Sequence, residues 1–176
     1  FDCVVAWEQF RSVSVEARVD GWGEAVEYSR TGFNMKTFLD NFKEAHRYVD
    51  TINCVVSVYS VWTLPIIERF RKQGIKIIYS PCRLPIHCNP QILMKEDKQR
   101  LLDLYSDYPA LLDIFKKFID TDLENGYTQS DPNGLIKHNT LNNIRKEMIS
   151  YNALLDKYRK TNFFEVFPMY EKYKEI

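Results

Sequence analysis

Ile52-Asn53-Cys54-Val55-Val56-Ser57-Val58-Tyr59, then helix signals over Pro65–Lys72, then Ile75-Lys76-Ile77-Ile78-Tyr79, read as strand, helix and strand with short joins. The two apolar runs are the length of strands and rich in β-branched residues. Pro65 suits a first helical turn, where its missing N–H is not needed. Ile66, Ile67 and Phe70 supply an apolar side, and Gly74 is placed as a C-cap. Working outward, Val13, Val15, Ala17 and Val19 alternate with Ser14, Glu16 and Arg18, which predicts an earlier strand. Asp20-Gly21-Trp22-Gly23 stops it. Asn34 caps a helix from Met35 whose inner side is Phe38, Phe42, Ala45 and Val49. Strand, helix, strand, helix, strand is the order of βαβ units, so the class is α/β with a parallel sheet.

Composition changes after Tyr79. Three prolines within Ser80–Pro90 predict a long ordered loop. Helices then return over residues 93–105 and 108–121. A loop is expected over 125–134, and a last long helix over 139–158. Leu141, Ile144, Met148, Tyr151, Leu154 and Leu155 form its apolar stripe. Phe163, Phe164, Val166 and Phe167 make an aromatic end before Pro168. The division expected is 1–90, strands and their helices, and 91–176, a mostly helical appended region.

The 176 residues carry 24 Lys+Arg against 24 Asp+Glu, with 45% hydrophobic and 14% aromatic content. This is a globular composition, and it disfavours a generically basic nucleic-acid binder. No apolar run is long enough to cross a bilayer. Charge is uneven: residues 1–30 are net −3 and residues 68–100 net +5. The start at Phe1 has neither an initiator Met nor a signal-peptide pattern. A chain of this length can make its own core, so Cys3, Cys54, Cys82 and Cys88 are not needed as a disulfide framework, and a reduced, cytoplasmic setting is expected. Cys82 and Cys88, with His87 between them, do not match common structural zinc spacings, so no metal ligand is assigned.

Three groups of residues carry a family resemblance. They are Val19-Asp20-Gly21-Trp22-Gly23-Glu24 with Glu27-Tyr28-Ser29-Arg30-Thr31-Gly32; Val56-Ser57-Val58-Tyr59-Ser60 with Leu64-Pro65; and Leu155-Asp156-Lys157-Tyr158-Arg159 running into Val166-Phe167-Pro168. With them the chain resembles the C-terminal half of a radical SAM protein of the twitch-domain type found in phages and bacteria. The resemblance implies half of a partial (β/α) barrel, its fourth to sixth strands, followed by the helical region. It implies a parent that uses S-adenosylmethionine and a [4Fe–4S] cluster to make a 5′-deoxyadenosyl radical, which takes hydrogen from a substrate. The cluster loop of that family, Cys-x-x-x-Cys-x-x-Cys, is not in this sequence. The partner expected is therefore a missing N-terminal half or a second chain.

On the resemblance, Arg30 stands where the family holds the methionyl carboxylate, a task suited to a planar guanidinium. A surface pair with Glu27 is the other reading. Ser57 and Ser60 stand where ribose is bound, or else simply form a turn. Glu16 and Arg18 form a charged pair in the cavity if the polar face of the first strand points inward, and a wet outer face otherwise. No catalytic residue is assigned. The reading from another class is a non-catalytic interaction or accessory domain, with Phe163, Phe164 and Phe167 as its exposed apolar face.

Overall fold

The structure, a computed structural model, describes residues 3–119, 127–130 and 136–176. A short helix α1 (Cys3–Trp7) precedes strand β1 (Val15–Arg18), followed by α2 (Glu24–Ser29), α3 (Met35–Ala45) and β2 (Val49–Val56). Helix α4 (Leu64–Ile67) continues as a 3-10 turn through Gln73 into β3 (Lys76–Pro81). The three strands are parallel and lie in chain order, β1-β2-β3. Ala17, Ile52 and Ile77 sit in register, as do Arg18, Asn53 and Ile78.

Register sorts the side chains into two faces, because successive residues of a strand point opposite ways. Ile52, Cys54, Val56, Ile77 and Tyr79 share one face and are all buried in the core with Val26, Leu64, Ile67 and Phe70 of the crossovers. Phe42 of α3 meets Phe70 edge-on at 4.9 Å, which joins the two crossovers over this face. The opposite face carries Glu16, Arg18, Thr51, Asn53, Lys76 and Ser80, with Val55 and Ile78 between them, all exposed or half-buried. The fold is therefore α/β, with a small three-stranded parallel sheet apolar on one side and mostly polar on the other.

Local chemistry explains the element ends. Asn34 accepts the Thr37 N–H at 2.8 Å as the N-cap of α3. Glu27 accepts the Met35 N–H at 2.7 Å, so its carboxylate serves the same helix start rather than Arg30. Gly74 takes φ 84° and returns its N–H to Phe70 and Arg71, the C-cap expected of it. The second strand stops at Val56, not Tyr59. Ser60 Oγ accepts the Ser57 N–H at 2.8 Å and donates to the Val55 carbonyl at 2.8 Å, which turns the chain. The first strand is shorter than its alternation, since only Val15–Arg18 find a partner strand.

Beyond β3, short 3-10 turns (Ile86–Cys88, Pro90–Ile92) lead to α5 (Lys95–Leu104) and α6 (Pro109–Ile119). The loop expected over 125–134 contains a strand. β4 (Tyr127–Ser130) pairs antiparallel with β5 (Ile136–Asn139), and the rest of that loop lies outside the described residues. His138 is in β5. Helix α7 (Leu141–Arg159) is capped by Thr140, then α8 (Phe163–Val166) and a 3-10 turn (Pro168–Glu175) complete the chain.

Two expectations for this end need correction. The buried stripe of α7 is Ile144, Met148 and Asn152, whereas Tyr151 and Leu154 are exposed. Asn152 faces inward, where its Oδ1 accepts the Tyr59 hydroxyl at 3.0 Å and lies 3.1 Å from the Tyr28 hydroxyl. The terminal aromatics do not form an exposed face either. Phe163 and Phe167 are 1% exposed and pack on Tyr28, Tyr59 and Tyr170. Burying such rings removes large apolar area from water, worth roughly 2–3 kcal/mol per ring.

Residues from both sides of position 90 share one core. Tyr170 donates to the Val58 carbonyl at 2.7 Å and accepts from Trp62 Nε1 at 2.9 Å. Arg145 Nε donates to the Ile92 carbonyl at 2.7 Å. Among the described residues, no helix is long and apolar enough to cross a membrane.

Candidate functional site

The carboxyl ends of the three strands bring together Arg18, the last residue of β1, with Asp20 just beyond it, the Ser57–Ser60 turn after β2, and Cys82 after β3. Ligands of α/β proteins gather at this end because loops and free backbone groups converge there. Asp20 is the hub. Its Oδ1 accepts the Val55 N–H at 2.8 Å and lies 3.6 Å from Arg18 Nε. Its Oδ2 lies 3.3 Å from Arg30 Nη1. The side chain of Asp20 is 16% exposed, against 40% for Arg30 and 60% for Arg18. One carboxylate thus orients two guanidiniums and leaves the cluster net positive. Each guanidinium has five N–H donors and uses few of them on Asp20, so both retain donors for an incoming carboxylate or similar anion.

Gly21 makes this end possible. It takes φ 138°, and a Cβ built there would sit 3.2 Å from Thr63 Oγ1. Thr63 Oγ1 accepts the Trp22 N–H at 3.1 Å and donates to the Ser60 carbonyl at 3.0 Å, which fastens the β1 end to the β2 turn.

The residues singled out from the sequence fall as follows. Arg30 pairs with Asp20 and places its guanidinium 5.8 Å from the centre of the Phe33 ring. Arg18 pairs with Asp20, not with Glu16. Glu16 is exposed on the polar face of β1, beside Thr51. Ser60 is fully buried, with its hydroxyl used inside the turn. Ser57 is 8% exposed, and its Oγ accepts the Tyr59 N–H at 3.3 Å. The serines therefore build the turn that carries the strand end, and the arginines hold the open donors. Asp20 was legible only as a strand stop.

A second cluster adjoins β3. His87 is 6% exposed, with Nδ1 3.3 Å from Glu147 Oε1 and its ring 4.5 Å from that of Tyr151. Among the described residues, its buried Nε2 meets no hydrogen-bond partner. Cys88 Sγ lies 3.9 Å from Tyr59 Oη; the Cys82 thiol and then burial push the Cys88 thiol up, and burial pushes the Tyr59 phenol up. Cys54, on the core face of β2, is also pushed up by burial. Among the described residues, no three His, Cys, Asp or Glu side chains are placed to hold a metal ion. A [4Fe–4S] cluster therefore finds no ligand set among these described residues. No family model, curated protein or solved structure matches this chain.

Proposed function

We propose that the chain is the C-terminal half of a radical SAM protein of the twitch-domain type. In this reading the three strands are one side of a partial (β/α) barrel, with their polar face turned to its cavity. The observation that supports it best is the Arg18–Asp20–Arg30 cluster at the carboxyl ends of in-order parallel strands. Arg30 binds the methionyl carboxylate of S-adenosylmethionine, and Asp20 orients it. Arg18 and Glu16 line the cavity above β1. The parent reductively cleaves S-adenosylmethionine for hydrogen abstraction from a substrate. The ligands of its cluster are then supplied by a preceding half or a partner chain, and the protein works in the cytoplasm.

Calorimetric titration of this chain with S-adenosylmethionine tests the reading. Saturable binding is expected, weakened about 10–100-fold by Arg30→Ala, since a hydrogen bond to a charged group contributes about 1.5–3 kcal/mol. Arg30→Ala should leave the unfolding midpoint nearly unchanged, because exposed ion pairs add little stability. Absence of binding to the folded chain, together with a longer gene product that takes up neither iron nor S-adenosylmethionine, would overturn it.

A further inference from the structure

The loop after β3 begins and ends on a cysteine, and both ends are pinned to the same short stretch of chain. The Cys82 N–H donates to the Val56 carbonyl at 2.8 Å, and the Cys88 carbonyl accepts the Val58 N–H at 2.9 Å. Val56 and Val58 are separated only by Ser57, so the two cysteine backbones lie side by side. The Cys88 N–H closes the loop on itself through the Pro85 carbonyl at 2.9 Å. Cys82 Sγ donates to the Leu84 carbonyl at 3.5 Å and Cys88 Sγ lies 3.9 Å from Tyr59 Oη, and each thiol shifts the titration of the other. Cys82 is half-buried and open to small molecules, whereas Cys88 is buried against Tyr59. Both are free thiols.

We infer that Cys82 and Cys88 are a reversible dithiol–disulfide pair, with Cys82 as the attacking thiol toward a small-molecule disulfide and Cys88 as the resolving thiol. The asymmetry has a physical cause. The neighbouring Cys88 thiol holds the Cys82 thiol below its ordinary range, and the Cys82 thiol together with burial raises Cys88. The thiolate is the nucleophile, so Cys82 meets the oxidant first. Its Sγ attacks one sulfur of a disulfide RSSR. That S–S bond breaks, and RS⁻ leaves and takes a proton from water. Cys88 then loses its proton to solvent, and its Sγ attacks the Cys82 sulfur of the mixed disulfide. A second RS⁻ leaves and is protonated. The two cysteines have lost two electrons, and RSSR has become two RSH. A reducing dithiol reverses the sequence. In the oxidised form the loop over 83–87, which carries His87, is closed by a covalent bond at the strand end, and Tyr59 loses its thiol neighbour.

The other two cysteines are internal controls. Cys3 is exposed and Cys54 is buried on the core face. Trypsin cuts after Lys76, Arg83 and Lys95, so Cys82 and Cys88 fall on separate peptides. The reduced chain is incubated without oxygen with oxidised glutathione, remaining thiols are alkylated, and peptides are mapped without reduction. The 77–83 and 84–95 peptides are expected as one linked species, with Cys54 alkylated, and dithiothreitol should separate them. In Cys88→Ser, glutathione should stay on Cys82. The inference is overturned if wild-type Cys82 and Cys88 are both alkylated once Cys3 carries glutathione. It is equally overturned if wild-type Cys82 keeps glutathione beside an alkylated Cys88, or if the link joins two chains. None of these outcomes depends on S-adenosylmethionine binding.

Discussion

Tyr28 donates its hydroxyl to Asp156 at 3.0 Å, joining positions 128 residues apart in the chain. Asp156 also accepts the Thr161 hydroxyl and the Phe163 N–H, each at 2.8 Å. Arg159 Nη1 donates to the Tyr28 carbonyl at 2.8 Å. One carboxylate near the end of α7 therefore starts α8 and holds both to α2. Asp156→Ala should destabilise by about 2–3 kcal/mol, as hydrogen bonds to a charged acceptor are lost together. Tyr28→Phe removes one of them and should cost about 1 kcal/mol. Urea unfolding checks this: the midpoint should fall with the slope unchanged.

Asp97 offers a second, more buried test. It is fully buried, with Lys172 Nζ at 2.7 Å and the Tyr173 hydroxyl at 2.9 Å. Removing one partner of a buried charge strands the other. Lys172 is 37% exposed and Arg100 stands 3.7 Å away, so solvent and a second cation soften the loss. Lys172→Met should cost about 1–3 kcal/mol, with Lys172→Arg recovering part of it, read from chemical denaturation.

Alkaline pH should unfold the protein. Burial raises the phenols of Tyr28, Tyr59, Tyr79, Tyr105, Tyr170 and Tyr173 above their ordinary value. In the unfolded chain they ionise near pH 10, while the folded chain keeps their protons. The folded state then binds more protons, so stability falls as pH rises above about 10. Below that pH both states are protonated and this contribution is fully present. Denaturant midpoints across this range, with phenolate absorbance on the same samples, should show ionisation and unfolding rising together. Phenolates appearing while the fold persists would contradict the buried placement.

Gly21→Ala should disturb the strand ends from within. The positive φ disfavours any side chain, and the added methyl presses on Thr63 Oγ1, the atom that ties β1 to the β2 turn. A loss of about 1–3 kcal/mol is expected from backbone strain of this kind. Thermal unfolding measures it. Gly23→Ala, where a Cβ meets nothing within 4 Å, separates backbone strain from the contact with Thr63.

Much of this was written locally. The β-branched runs around Ile52 and Ile77, the Asn34 cap and the Gly74 stop are short-range signals. They set the strand–helix–strand order that makes the chain α/β. Periodicity also located α3, α5, α6 and α7 to within a few residues. The charge balance and the separation of cysteines along the chain were likewise readable directly.

Tertiary structure decided the rest, because partners distant in sequence leave no local trace. Asp20 reads as a strand stop until Arg18, Arg30 and Val55 are brought around it. Ser57 and Ser60 read equally as ligand contacts or as a turn, and only the closing of Ser60 onto Val55 and Ser57 distinguishes them. Asn152 breaks the apolar pattern of α7, yet it is the inward residue because Tyr59 reaches it across 93 positions. The aromatic end looked exposed as a string of letters. It is core because Tyr28, Tyr59 and Tyr170 supply, from elsewhere in the chain, the surface it needs to leave water. Sequence sets which faces are apolar, but only the packed fold determines what each face meets.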